Sequence, residues 1–218
     1  MSGSREAILQ AVRTALGDAA RDPAAIAAEA QALLAQPEAI RPHLPAGDAV
    51  ELFAERVISP KVNATLDRIP SLTALPEAVK RYLAAQSLPP TVALQPTPEL
   101  SALDWAGIAT HATMAADEPV GVGLARFGIA ETGSLVFHSG PGTPILFNFL
   151  PLHHVVAVRA SSILPYLDDW AAIVAREPAP RNVNLITGIS GTTDIEGSYV
   201  RGAHGPRFLH VVIVENER

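Results

Sequence analysis

Apolar runs in the second half of the chain, each with no more than one polar residue, constrain its fold more than any other feature. They occupy residues 135–138, 155–159, 183–186 and 208–214. Strands that are apolar at every position, and not only at alternate positions, are covered on both faces, as in a parallel sheet that lies between two layers of helices. The runs therefore predict an α/β fold with three layers, α/β/α, around a mostly parallel, doubly wound sheet.

A helical pattern between the second and third runs supports this fold, because parallel strands need a crossover helix. The residues that recur there at helical spacing are Leu164, Leu167, Ala171 and Val174. We expect Ser161 or Ser162 to cap this helix, with Pro165 in its first turn. The series strand, helix, strand, helix, strand over residues 155–214 then builds most of the sheet.

The first half of the chain reads as helices followed by the start of the α/β domain. Residues 5–16 and 23–35 are predicted to be helical, and a run of prolines then breaks the chain. We therefore divide the chain into an N-terminal helical appendage, residues 1–48, and an α/β domain, residues 49–218. Further elements expected in the domain are a helix at 50–56, a helix from Pro76 and a strand at 91–94.

Composition excludes several classes of function. The 218 residues include no Cys, which rules out disulfides, a thiolate nucleophile and a cysteine-ligated zinc ion or iron–sulfur cluster in this chain. The net charge is -6 and the two Lys form no cluster, so nucleic acid is not an expected partner. The N-terminus lacks an apolar signal core and no apolar run could span a bilayer, so we expect a cytoplasmic protein.

The loop at 187–196 has the strongest local signal for a ligand. It follows the apolar run at 183–186 and contains Gly188 and Gly191, and Thr193 and Glu196 have the spacing of a capping box, which predicts that a helix begins there. A Gly-rich turn between a strand and a helix presents free backbone N–H groups to an anion. A tight turn that binds nothing would have the same pattern.

Two further loops carry candidate catalytic groups. Glu131 is the only carboxylate between Glu118 and Asp168, and it could act as a general base, a nucleophile or a capping group in a turn. His204 lies in a Gly-rich loop where it could carry a proton, and Arg201 or Arg207 could clamp a carboxylate.

Other histidines are poorer candidates. His210 falls inside a buried strand, where a hydrogen-bonded core histidine is expected. His153 and His154 are adjacent on a strand, so they point to opposite faces and cannot bind one metal ion together. No sequence pattern of a dedicated metal site is present.

Around these loops the sequence resembles the LUD-domain family, in particular its lactate utilisation protein C (LutC/YkgG) group. The resemblance covers about residues 120–214. The segments that carry it are Ala-Glu-Thr-Gly-Ser at 130–134, Leu-Pro-Leu-His-His-Val-Val at 150–156, residues 182–188, residues 192–196, Gly-Ala-His-Gly-Pro at 202–206 and Leu-His at 209–210.

The resemblance implies a fold like that of the NagB/RpiA/CoA-transferase group and a role in the oxidation of L-lactate to pyruvate beside two iron–sulfur partner proteins. The cysteine-free chain would be the cluster-free member of that set. One departure stands out: the family commonly has Ser-Arg-Thr-Ala before Asp194, whereas this chain has Ser-Gly-Thr-Thr. If that Arg clamps a carboxylate in the family, this chain must use another, such as Arg126 or Arg201, or bind a different anion. Gly191 could instead leave space for a bulkier ligand.

The leading hypothesis is a lactate-utilisation subunit that binds a small anionic metabolite where these loops meet at the strand ends of one sheet. Glu131 and His204 are the candidate catalytic residues. The candidate ligand-binding residues are Thr132, Gly133, Ser134, Thr187, Gly188, Ser190, Gly191, Thr192, Asp194, Glu196, Arg126 and Arg201. Two alternatives stay open: an independent enzyme that transfers an acyl or phosphoryl group with Glu131 as nucleophile, and a non-catalytic assembly or regulatory protein. The ligand, any cofactor and homo-oligomer formation also stay open.

Overall fold

The computed structural model describes residues 2–16, 22–36, 41–193 and 197–216. The chain forms two compact units, Met1–His43 and Leu44–Arg218. The first unit contains the helices α1 (Ser2–Leu16) and α2 (Pro23–Leu34), which confirms the predicted N-terminal helical segment. Asp22 caps α2 by accepting a hydrogen bond from the backbone N–H of Ala24. The domain boundary proposed between residues 48 and 49 stays a prediction.

The second unit alternates helices and strands. Its helices are α3 (Ala49–Ile58), α4 (Leu75–Ala85), α5 (Pro98–Ser101) and α6 (Leu167–Val174). Its strands are β1 (Thr65–Ile69), β2 (Thr91–Leu94), β3 (Ala109–His111), β4 (Val120–Leu124), β5 (Phe127–Ile129), β6 (Ser134–His138), β7 (His153–Arg159), β8 (Ile163–Leu164), β9 (Val183–Ile186), β10 (Gly191–Thr193), β11 (Tyr199–Arg201) and β12 (Phe208–Val214).

Six of these strands form the central sheet in the order β1-β12-β7-β4-β2-β3, and every neighbouring pair is parallel. In this register His153 lies beside both Phe208 and Val120, so the amino ends of β12, β7 and β4 are level. The α/β fold with a mostly parallel central sheet is therefore confirmed.

Both faces of the central sheet are buried, as the apolar runs predict. On one face α4 contributes Leu75, Val79 and Leu83 to a core shared with β2, β4 and β12. On the other face Phe53 and Val57 of α3 pack together with β6, β7 and β12. Burial on both faces explains why Val155 and Val211 are fully covered, and each such side chain stabilises the fold by about 1.5–3 kcal/mol.

The assignment of 135–138 and 183–186 to the parallel sheet is wrong. These residues form β6 and β9 of a second, four-stranded sheet with the order β8-β5-β6-β9, in which β6 runs antiparallel to both of its neighbours. The second sheet packs on the α3 side of the central sheet. An apolar run reports burial on both faces, and β6 is buried there although it is antiparallel.

Two predicted helix starts are also wrong. Ser161 and Ser162 lie in a short 3-10 turn, and the next two residues extend as β8 beside β5, so α6 begins only after Tyr166. The capping-box pattern at Thr193 does not start a helix, because 191–193 and 199–201 pair as the antiparallel hairpin β10–β11. Asp194 and Glu196 lie outside the described residues.

Candidate functional site

The structure brings the three candidate loops into contact with one another. The hydroxyl oxygen of Ser134 lies 2.6 Å from that of Thr132 and 2.6 Å from that of Thr187. The backbone N–H of Ser190 donates to Pro206, and the backbone N–H of His204 donates to the Ser190 hydroxyl. The sequence segments that resemble the LUD family therefore converge in one region.

The predicted position of this region is wrong. Glu131 lies between β5 and β6, and Thr187 follows β9, so both belong to the second sheet. His204 and Pro206 precede β12, at the amino end of the central sheet and not at its carboxyl end. Each loop does adjoin a strand end, but the strands belong to two different sheets. A single sequence does not show which of two sheets a strand joins.

The backbone of the 188–192 turn is largely engaged within the protein. The N–H of Ile189 donates to the carbonyl oxygen of Val62, and that of Ser190 donates to Pro206. Thr192 is half-buried and lies opposite Val200 in the β10–β11 hairpin. These N–H groups therefore stabilise the turn, and an anion near it needs other donors.

Glu131 serves as a cap for α6. Its Oε2 atom accepts a hydrogen bond from the backbone N–H of Leu167, the first residue of that helix, at 3.1 Å. A carboxylate at a helix N-terminus is stabilised by the helix dipole. Among the described contacts no hydrogen bond links Glu131 to His204, which is exposed. The two candidate catalytic residues are thus not paired.

A cleft at the amino ends of β1 and β12 collects several of the remaining candidates. We call it the amino-edge cleft. Its volume is about 260 Å³, and its lining includes Thr65, Tyr82, Ile189, Arg201, Arg207 and Phe208. The 188–192 turn reaches the cleft through Ile189, so the cleft adjoins the family-like loops.

Tyr82 lines the amino-edge cleft, and two buried histidines that do not line it, His153 and His210, contact its lining residues. The hydroxyl of Tyr82 lies 2.9 Å from Nδ1 of His153, and the Thr65 hydroxyl lies 2.8 Å from Nδ1 of His210. The Tyr82 ring stacks on His210 at 4.4 Å between centroids, and the Phe208 ring stacks on His153 at 4.3 Å. Tyr82, His153 and His210 are each more than nine-tenths buried.

Burial keeps the side chains of Tyr82, His153 and His210 uncharged at neutral pH. It raises the pKa of Tyr82 to about 12 and lowers the pKa of His210 to about 4. The pKa of His153 is also lowered, first by burial and then by the positive charge of Arg207. Tyr82 therefore offers a neutral hydroxyl to the cleft, and His153 and His210 can exchange hydrogen-bond roles with Tyr82 and Thr65 without carrying charge.

Arg201 and Arg207 place positive charge in the lining of the cleft. Within the described parts of the chain, neither Arg201 nor Arg207 contacts a carboxylate, whereas Arg68 and Arg81 are both paired with one. The described lining of the cleft contains no Asp or Glu. Arg207 lies over the Phe208 ring at 5.7 Å, which leaves its N–H groups in the plane of the guanidinium available.

Other candidates lie elsewhere or have structural roles. Arg126 lines a different cavity, where it contacts Glu177 and His138. Gly133 and Gly188 have positive φ angles and shape tight turns. His153 and His154 do point to opposite faces, since His154 stacks on Phe137 of β6. Across the described residues no group of three or more His, Cys, Asp and Glu could hold a metal ion.

Sequence reasoning missed Tyr82 and Thr65. Tyr82 shares a face of α4 with apolar residues, so periodicity identified it only as part of the core. The available signal was a phenol hydroxyl on an otherwise apolar helix face, because a buried Tyr hydroxyl needs a polar partner. Thr65 lies in β1, a strand that the apolar-run criterion did not detect because only Ile69 in it is buried.

Comparison with known proteins supports the family resemblance. Residues 109–214 match the model of the LUD domain. This match confirms the resemblance to the LUD domain family that was predicted from the sequence.

Individual relatives come from the group named in the sequence analysis. Lactate utilization protein C of Geobacillus sp. (strain WCH70) is 32% identical over 100 residues, which is 44% of this chain and 42% of that protein. The uncharacterized protein YkgG of Escherichia coli (strain K12) is 33% identical over 125 residues, or 54% of either chain. The alignments thus span about half the length of these relatives.

A solved structure supports the fold. A DUF162 family protein from Deinococcus radiodurans aligns with a TM-score of 0.56 and 18% identity, and the alignment covers 79% of this chain and 99% of that one. None of the helices in the described parts of the chain has the length and apolar character needed to cross a membrane.

Proposed function

We propose that this protein binds a small carboxylate in the amino-edge cleft and acts in L-lactate utilisation. The observation that carries the proposal is the pair Arg201 and Arg207, which has no carboxylate partner among the described residues and lines the cleft together with Tyr82. Relatives named lactate utilization protein C support lactate or pyruvate as the ligand.

The chemistry of the cleft suits an acid of this size. A guanidinium binds a carboxylate through two parallel hydrogen bonds, and two of them can hold its charge in a site open to water. A volume of about 260 Å³ holds a three-carbon acid with a few water molecules. The Tyr82 hydroxyl, in the lining of the cleft, can hydrogen-bond to the hydroxyl or keto oxygen of the ligand.

A redox role would require a second component. The chain contains no cysteine to ligate an iron–sulfur cluster. Electrons taken from L-lactate would therefore pass to iron–sulfur partner proteins or to a bound cofactor. In this proposal the present chain is the cluster-free subunit that holds the small acid.

The alternative of acyl or phosphoryl transfer with Glu131 as nucleophile has less support. The Glu131 carboxylate is committed to the N-terminus of α6. If Glu131 acted as a nucleophile, α6 would lose this cap during the reaction, and a lost cap costs about 1 kcal/mol.

The ligand proposal is tested by calorimetric titration with L-lactate and pyruvate. We expect saturable binding of at least one acid to the unaltered chain, and a loss of about tenfold or more in affinity in the double variant Arg201→Gln, Arg207→Gln, because charged hydrogen bonds contribute about 1.5–3 kcal/mol each. Arg181→Gln, at an exposed arginine outside the cleft, is the matched control and should bind like the parent.

The outcome decides between the candidates. Equal binding by the parent and the double variant would place the acid elsewhere in the molecule. No binding of either acid would favour the non-catalytic assembly protein.

A further inference from the structure

A second cavity lies at the carboxyl ends of strands in the central sheet, opposite the amino-edge cleft. We call it the switch-point cavity. Its volume is about 430 Å³, and its lining includes Thr97 after β2, Ala125 and Arg126 after β4, and Arg159 at the end of β7. From β2 the chain goes outward to β3, whereas from β4 it goes the other way to β7. Open α/β sheets bind ligands at such a reversal, outside the carboxyl ends of the strands.

One side chain of this cavity faces more hydrogen-bond donors than it can accept. Nδ1 of His138 lies 2.7 Å from Nη1 of Arg126, and Nε2 of His138 accepts from the indole N–H of Trp170 at 3.2 Å. Guanidinium and indole nitrogens only donate, and a neutral imidazole has one lone pair for a hydrogen bond. In every protonation state of His138, therefore, at least one of these donors lacks an acceptor on the ring.

The other side of Arg126 holds a carboxylate that water can reach. Nη2 of Arg126 lies 2.7 Å from each of the two carboxylate oxygens of Glu177. The side chains of Arg126 and Glu177 are 42% and 34% exposed, respectively. Ion pairs this exposed contribute about 0–1 kcal/mol, so a ligand anion can compete with Glu177 for the guanidinium.

From this geometry we infer that the switch-point cavity binds an organic anion through a phosphate or carboxylate group. The group takes the donor that His138 cannot satisfy and replaces Glu177 on Arg126. Arg159 supplies a second positive charge in the lining, and the rings of Phe127 and Phe137 supply apolar surface for the rest of the ligand. The cavity is larger than the amino-edge cleft and shares no lining residue with it, so the inference is independent of the proposed function.

Calorimetric titration of the full chain with pyrophosphate and with citrate tests the inference and separates the two kinds of group. We expect saturable binding of one of the two probes, and its loss in Arg126→Gln. Glu177→Gln removes the competing carboxylate, so it should bind the same probe about fivefold more tightly, which corresponds to the upper end for an exposed ion pair. A merely structural role of Glu177 predicts no gain in affinity.

Glu215→Gln is the matched control, because Glu215 forms an exposed ion pair with Arg68 outside the cavity. Its affinity should equal that of the parent. In a Trp105→Phe background Trp170 is the only tryptophan, so a probe-dependent change in its fluorescence places the anion at this cavity. If Glu177→Gln does not fold, Glu177→Asp shortens the side chain and should also tighten binding.

Three results would overturn the inference: no saturable binding of either probe, undiminished binding by Arg126→Gln, or unchanged affinity when residue 177 is altered. Tight binding of pyrophosphate alone identifies a phosphate-bearing ligand, and tight binding of citrate alone identifies a carboxylate.

Discussion

The fold alters the protonation of two buried histidines, His154 and His210. His154 is fully covered between β7 and β6, and burial lowers its pKa to about 3. Its Nδ1 atom has no hydrogen-bond partner, and a protonated ring at that position would be an unpaired buried charge. Like His210, whose pKa is about 4, His154 therefore stays neutral in the folded protein well below pH 6.

These two histidines predict that the protein loses stability in mild acid. Between pH 6.5 and 5 the unfolded chain takes up protons at both positions and the folded chain does not, so the free energy of unfolding falls as pH falls. The slope is at most about 1.4 kcal/mol per pH unit for each histidine. Denaturant unfolding at several pH values measures it, and His154→Phe should give a shallower dependence than the parent.

The exposed His43 provides the control for this measurement. His43→Gln should reproduce the slope of the parent. A parent whose stability is flat between pH 6.5 and 5 would contradict the burial of the two neutral rings.

Residue-level reasoning from the sequence succeeded where geometry is local. The opposite orientations of His153 and His154 follow from the two-residue period of a strand, and the burial of His210 follows from its apolar neighbours. It failed where partners come from distant segments. The Tyr82–His153 contact joins α4 to β7, and nothing in either segment specifies the other.

At the scale of elements, the turn after β9 is held against the loop before β1. Gly188 has φ +80°, and a side chain there would collide with the carbonyl oxygen of Val62. Gly197 has a similar φ of +83°, but none of the described residues lies within 4 Å of the place where its Cβ would be. A side chain at Gly188 would therefore cause both a steric collision and backbone strain, whereas a side chain at Gly197 would cause backbone strain alone.

Alanine substitution at these glycines should have unequal effects. Gly197→Ala should cost about 1 kcal/mol, the price of a left-handed conformation for a residue with a Cβ. Gly188→Ala should cost more than about 2 kcal/mol, because the backbone of residue 62 must also move. Thermal or denaturant unfolding of both variants measures the difference, and equal costs would mean that the turn can move away from Val62.

Gly191 has a different reason to lack a side chain. The space that a Cβ would enter is occupied by the hydroxyl end of Tyr199, across the β10–β11 hairpin. Where the family resemblance leads one to expect Arg, this chain thus has Gly with a tyrosine over it. Tyr199 is exposed and can rotate away, so the position is crowded by a side chain and not by backbone.

Element bounds were predictable to different degrees. The strands at 91–94 and 208–214 were predicted at their true ends, because Pro or polar residues bound a compact apolar run. The hairpin was missed because the Thr-x-x-Glu spacing was interpreted as a helix start, whereas Thr193 lies in β10. Helix α6 starts late because Ile163 and Leu164 extend beside β5, a pairing that local periodicity cannot indicate.

At the scale of the whole molecule, the two cavities lie at opposite edges of one parallel sheet, where strands of five to seven residues separate them by about 15–25 Å. The sequence predicts such a sheet but not its order. The strand order depends on which strands, distant in the sequence, pair with each other. The residues that line each cavity depend on the same pairing. Residues 44–218 form the unit that contains both cavities, close to the domain proposed for residues 49–218.

The proposed place in L-lactate utilisation makes a prediction for the cell. Deletion of the gene should stop growth on L-lactate as the sole carbon source, because the small acid would no longer be held for oxidation. A copy with Arg201→Gln and Arg207→Gln should fail to restore growth, and a copy with Arg181→Gln should restore it. Affinity purification should recover iron–sulfur proteins with both copies.

Unchanged growth of the deletion strain would remove the pathway role. Recovery of partners with the parent but not with the double arginine variant would instead make the cleft a docking surface for those proteins.

The position of β12 between β1 and β7 also determines when the central sheet can be completed during translation. In the sheet, β1 has β12 as its neighbour, yet β1 ends at Ile69 and β12 begins at Phe208. At ordinary translation rates the intervening chain takes on the order of ten seconds to synthesise. During that time β1 lacks its partner strand. The amino-edge cleft, whose lining includes Thr65 and Arg207, cannot yet form. Nascent chains are therefore open to capture by chaperones until β12 has been synthesised.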